Sequence, residues 1–205
     1  MAVYGVSTYG TPTGITASEI KNLALFELGF VDEIDFTDTT NETVKKVNRI
    51  YPTVYNFVLS NYPWRFVIKR KQLTTRSEAT DEYKYKYSYS LPANLLAIKN
   101  IFSDNNYSSP IREYESGVNY VNTGSSTVYL SYISQIDEVD FPQYFIDYFK
   151  YKLAMELCFN LTGDTKLLEI LAMKEQRGLL TSKNIDARQN MTRTIRTSPF
   201  ASIRG

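Results

Sequence analysis

The stretch NYPWRFVIKRKQL, residues 61–73, is where the chain changes character. Before it, apolar residues recur at helical spacing; after it, they alternate with a period near two. Pro63 disfavours helical geometry at Tyr62, so the incoming helix should end near Asn61. Trp64, the only tryptophan, and Phe66 are then placed to pin a helical layer to a sheet. Arg65, Lys69 and Lys71 share one face of the alternating run and Arg70 opposes them, so the basic residues are split rather than gathered. The stretch reads as a hinge between two layers, with a solvated or subunit-facing edge.

Working towards the N-terminus, Val44, Val47, Tyr51, Val54 and Val58 repeat at intervals of three and four, an amphipathic helix packed on a core. Thr39 and Glu42 are spaced as a capping box at its start, and Pro52 is expected to kink it, at about 3 kcal/mol in a straight helix. Thr16 and Glu19 form a second box, opening a helix with Ile20, Leu23, Ala24 and Leu28 on one face and Gly29 as its stop. The uncharged residues 1–15 read as an extended arm.

Working towards the C-terminus, YKYKYSYSLP places Tyr83, Tyr85, Tyr87 and Tyr89 on one face of a strand. Further strands are expected over residues 66–74, 96–102, 111–114 and 127–133, with SDNNYSSP and VNTGSS as turns. Helical spacing then returns. Phe141, Phe145, Phe149, Leu153, Leu157 and Leu161 make an i, i+4 ladder, and LTGD turns one helix into another at Gly163 and Asp164.

The implied fold is α+β, mainly α: a four-helix bundle with a small antiparallel β-sheet inserted between the second and third helices. The helices are expected at about 16–29, 40–61, 140–162 and 164–187, and the β insertion at about 66–134. Residues 190–205 form a C-terminal arm expected to be mobile on its own, basic and without an acid. Its Met191, Arg193, Ile195, Arg196, Phe200, Ile203 and Arg204 interleave charge with apolar anchors, the chemistry of a segment that docks on another protein.

Composition narrows the function classes. A net charge of +1 supplies no global field for nucleic acid or an anionic membrane. No segment reaches the roughly 18 uncharged apolar residues of a membrane span, and the N-terminus lacks the pattern of a signal peptide. Histidine is absent, which removes the commonest general base and transition-metal ligand, so an enzyme is not expected, nor a metal or cofactor. The single Cys158, among apolar helical residues, reads as a buried thiol. The acidic runs 32–35 and 137–140 are read as helix-start residues favoured by the helix dipole, ahead of calcium binding or a glycosidase pair. The tyrosine row is read as packing or subunit contact, ahead of base stacking.

Several of these pieces, in this order, resemble the head-to-tail adaptor family of short-tailed bacteriophages, also called tail tubular protein A or connector proteins. The resemblance rests on Tyr62, Pro63, Trp64, Phe66, Lys69 and Leu73; on Tyr85, Tyr87, Tyr89, Leu91, Pro92 and Ala93; on Leu161 to Asp164 with Gly163; and on Gln176 with Asp186 to Gln189. It covers the chain from about residue 16 to 189.

The resemblance implies a helical bundle with a β-rich insertion, assembled as a homo-oligomeric ring of typically about twelve copies. The ring sits beneath the portal protein, joined to tail, nozzle or other ring proteins, and the genomic DNA passes through its channel without specific binding. It also implies a virion location at the head–tail junction or tail, after assembly in the bacterial host cytoplasm, and no membrane. The C-terminal segment would grip the portal or a neighbouring subunit, with Arg193, Ile195, Arg196 and Phe200 as anchors. Two alternatives stand beside this reading. One is a nucleic-acid-binding module using Lys69, Arg70, Lys71 and the tyrosine strand; the other is a wall-degrading enzyme using a carboxylate pair.

Overall fold

The computed structural model describes residues 12–76 and 84–189. They form four helices and two three-stranded antiparallel sheets, a mixed α+β fold. Helix α1 spans Ala17–Glu27 and α2 spans Glu42–Ser60. The β region follows, and the chain closes with α3, Gln143–Leu161, and α4, Thr165–Arg188.

Helix α1 begins as its sequence requires. The Thr16 side chain accepts from the Glu19 backbone N–H, and the Glu19 carboxylate accepts from the Thr16 backbone N–H, at 2.7 Å. These bonds to Thr16 hold the Glu19 carboxyl below its ordinary value. Gly29, at φ +92°, supplies the left-handed residue that ends this segment. Helix α2 departs from its expected start. Asn41, not Thr39, is the N-cap, its side chain accepting from Thr43 and Val44. The preceding Asp35 and Asp38 each hold a turn by accepting from Thr37 and Thr40, and these bonds keep both carboxyls low. Asp35 of the 32–35 run thus serves a turn ahead of α2 rather than a helix start. Pro52 sits exposed inside α2, which runs through it from Glu42 to Ser60.

Helix α3 is the centre of the helical half, and α1, α2 and α4 each pack against it. Phe141, Phe145, Phe149, Leu153 and Leu157 of the ladder are wholly buried. Phe141 precedes the helix proper, capping the 3-10 turn Glu138–Asp140. Gly163, at φ +67°, reverses the chain, and the Asp164 side chain caps α4 by accepting from Lys166 and Leu167.

Six strands make up the β region: β1 Ile68–Gln72, β2 Tyr87–Ser90, β3 Leu95–Phe102, β4 Tyr114–Ser116, β5 Tyr120–Thr123 and β6 Tyr129–Ser134. The single sheet expected from the sequence is two, ordered β1-β6-β3 and β2-β5-β4. Strand β5 lies partly within VNTGSS, which reads as a turn by composition but pairs at Val121, Asn122 and Thr123 with β2. The run expected over 66–74 opens instead with the 3-10 turn Arg65–Val67, which removes Arg65 from the face of Lys69 and Lys71.

The sheets join at both edges. Beyond β1, residues 74–76 turn to pair with β2: Ser90 N–H donates to the Thr74 carbonyl and Arg76 N–H to that of Ser88. At the other edge, Ile111 N–H donates to Ile101 of β3 before the chain enters β4. Two register shifts in β3 mark the bending that such corners need. The result is a small barrel-like β unit around Leu73, Tyr89, Ile101, Val121, Val128, Leu130 and Tyr132.

Strand β6 belongs to both cores. Ile133 packs with the helices, while Leu130 and Tyr132 face the β core. No described helix is long and apolar enough to cross a membrane.

Candidate functional site

Two of the sequence motifs, 121 residues apart, meet at one corner of the helical half. Pro63 follows the end of α2, and Trp64 folds back so that its indole N–H donates to the Val58 carbonyl at 2.8 Å. That carbonyl lies in the last turn of α2, where no backbone donor follows, so the tryptophan acts as a side-chain cap. Its ring is fully buried against Tyr62, Phe145, Tyr144 and Tyr148, and Phe66 packs edge-on to Phe141 and Phe145. The expectation that Trp64 and Phe66 pin helices to sheet is therefore adjusted. Both sit in the helical core, which Ile133 of β6 joins from the sheet.

Asp186 of α4 closes the corner. Its buried carboxylate accepts from the Arg65 backbone N–H at 3.1 Å and from the Tyr144 hydroxyl at 2.9 Å. The Arg65 guanidinium lies 4.0 Å from its other oxygen, half in solvent. Burial, then the bond to this carboxylate and its charge, push the Tyr144 phenol far above its ordinary value. One turn earlier, the Ser182 hydroxyl donates to the Tyr144 carbonyl. The two polar residues lock α4 against α3 and against the hinge, just before residue 190. The signal for them lay in the sequence: Ser182 and Asp186 are four apart on the face that also carries buried Leu171.

This corner holds a donor–acceptor lock and no nucleophile–base pair. Elsewhere, Glu138 of the 137–140 run accepts from the Tyr51 hydroxyl at 3.0 Å. Among the described residues, no group of three or more Cys, Asp or Glu is placed to hold a metal ion. Cys158 is buried, its sulfur 3.5 Å from the Thr162 hydroxyl.

The tyrosine row does not present one open face. Tyr85 precedes β2 and is buried; Tyr89 is buried, with its hydroxyl donating to the Ser125 carbonyl; Tyr87 is half-buried. Tyr83 lies outside the described residues. Lys69, Arg70 and Lys71 are exposed on β1, with Lys69 and Lys71 in register with Tyr132 and Leu130. Arg70 stacks its guanidinium 4.6 Å from the Tyr107 ring. The signature residues Leu91 and Pro92 lead from β2 to β3, remote in sequence from the Asp186 corner. Met191, Arg193, Ile195, Arg196, Phe200, Ile203 and Arg204 all lie outside the described residues.

Among the described residues, apolar side chains line several clefts, three of which lie on the helical half. One of about 690 Å³ runs between α2 and α3, beside Phe57. One of about 420 Å³ lies between α3 and α4, beside Tyr151 and Ile185. The third, about 400 Å³, lies between α1 and the loop after it, where Phe26 and Val31 are 67% and 85% exposed. Compared with protein-family models and with curated proteins, the chain matches none.

Proposed function

We propose that this chain is a virion structural protein, a ring-forming head-to-tail adaptor that joins a portal to a tail and leaves a channel for DNA. In this reading the four helices are the bundle of that family, and the β unit is its insertion between α2 and α3. The observation that carries it is the Asp186 corner. The Y-P-W-x-F hinge and the D-A-R-Q end of α4, two of the motifs behind the resemblance, are in direct hydrogen-bonded contact there. A lock at that position steadies the root from which residues 190–205 leave, which suits a segment used to grip a partner.

Deleting residues 190–205 is expected to leave the fold intact and to abolish binding to the cognate portal protein, read by calorimetric titration. Undiminished affinity would sink the docking role of the segment. The nucleic-acid alternative draws on the exposed Lys69, Arg70 and Lys71. Two of the tyrosines it would stack bases on, Tyr85 and Tyr89, are buried. A gel-shift series across salt concentrations separates the two: steeply salt-dependent binding by the purified chain would favour the alternative.

A further inference from the structure

Two faces of the helical half are opposite in charge and alike in exposing phenylalanine. The first is the cleft between α1 and its following loop. Phe26 and Val31 stand out of it, Leu23 lines it, and Glu19, Asp32 and Glu33 rim it without any basic residue. Asp32 and Glu33 make no ion pair among the described residues. The second is the groove between α2 and α3. Phe57 is 46% exposed there, with Lys46, Arg49 and Lys152 around it. Its one acid, Glu156, is already held by Lys152 at 2.7 Å. The Lys152 ammonium also lies 4.9 Å from the Phe57 ring. Arg49 makes no ion pair among the described residues, which leaves a basic excess in the groove.

We infer that the α1 cleft of one copy seats on the α2–α3 groove of a second copy, with Asp32 and Glu33 facing Lys46 and Arg49 and the exposed phenylalanines covering each other. The inference rests on the ring-forming reading and names the surfaces such a ring would use. Each face has what the other lacks. Exposed aromatic rings supply apolar area, and the unpaired carboxylates and guanidinium supply orientation and partner choice. The two patches share no residue and sit on different elements. Each pair therefore keeps one free patch of each kind, a groove on one copy and a cleft on the other, after its first contact. Such a heterologous contact propagates into a closed ring or a filament rather than stopping at a dimer.

The test is sedimentation velocity on the full chain over a concentration series, at low and raised salt. The wild type is expected to associate, and added salt to weaken it. Arg49→Glu cancels the basic excess of the groove and sets an acid opposite the acidic cleft, and Glu33→Arg removes an acid from the cleft and adds a base, so each variant alone is expected to weaken association by about tenfold or more. Both positions are exposed, so near-ultraviolet and far-ultraviolet circular dichroism should match the wild type. An equimolar mixture of the two variants is expected to recover association, because each supplies the face that complements the other. A wild type that stays monomeric at millimolar concentration overturns the inference. So do variants that associate as the wild type does, which would assign the contact to another face or to residues 190–205, and so does a mixture that fails to recover. Portal binding measured by titration is independent of these readouts. If it persists while the mixture fails, this interface falls and the adaptor reading stands.

Discussion

The helical half and the β unit are both built on aromatic residues, but they use them differently. Around α3, rings are packed on rings: Trp64, Phe66, Phe141, Phe145, Tyr148 and Phe149 form one contiguous cluster. Three phenol groups there are drawn inside and bonded to fixed partners, Tyr51 to Glu138, Tyr55 to the Ile136 carbonyl and Tyr144 to Asp186. In the β unit the core is smaller, and buried Ser88, Asn122 and Thr123 share the interior with it. Order there comes from closure, as strands turn from one sheet into the other and leave few unpaired edges. The contrast teaches how each region is held: the helices pack a large aromatic core, while the β unit joins a smaller apolar core to strand hydrogen bonding that closes on itself.

The most severe way to break this contrast is Trp64→Ala. It removes the centre of the ring cluster and the donor that caps Val58, and is expected to cost about 3–5 kcal/mol in urea unfolding followed by circular dichroism. A loss below about 1 kcal/mol would mean that the hinge is not central to the helical core. Leu130→Ala strikes the β core instead and is expected to cost about 2–3 kcal/mol, because a smaller core relaxes more readily around a cavity. Since β6 serves both cores, unfolding should remain a single transition; two separate transitions would show that the halves are uncoupled.

Asp186→Ala leaves the Tyr144 hydroxyl and the Arg65 N–H without their acceptor, at an expected cost of about 1–3 kcal/mol. Faster amide exchange at Arg65 should accompany it, and an unchanged exchange rate would count against the lock. The alkaline limb of stability offers a sharper comparison. Burial is the leading cause that raises the phenols of Tyr51, Tyr144, Tyr55 and Tyr148, the last two to about 12. A group whose folded value exceeds its unfolded value, near 10 for tyrosine, stabilises fully below that unfolded value. The contribution is lost as pH rises through the folded value. Ultraviolet titration should therefore show these four phenols ionising late, together with unfolding. A single early phase would contradict their burial. The smallest effect is expected from Val118→Ser at the β4–β5 turn, within about 0.5 kcal/mol in urea unfolding, since that residue is fully exposed.

Legibility from sequence followed the range of the forces involved. The Thr16–Glu19 box, Gly29, the LTGD reversal and the Phe/Leu ladder are local or strictly periodic, and each appears as residue spacing alone. Thr39–Glu42 had the right spacing and the wrong outcome, because Asn41, adjacent to the first turn, took the cap and left Thr39 outside. VNTGSS was misread because turn-forming residue types outweighed the pairing that β2 offers to Val121, Asn122 and Thr123. The Asp186 corner was half legible: both motifs stood out, but nothing local says that a carboxylate on α4 serves a backbone N–H at the hinge.

By itself, then, the sequence determined the order of the four helices, the cap of α1, the reversals at Gly29 and Gly163, and the layer change at residues 61–73, because periodicity and capping act within a few residues. Tertiary structure alone decided that the strands divide into two sheets joined at their corners, and that β6 is buried on both faces. It also decided that Tyr85 and Tyr89 turn inward while Phe26, Val31 and Phe57 stay outside. Those outcomes depend on which distant segments meet, and burial is a property of the assembled surfaces rather than of any residue's neighbours along the chain.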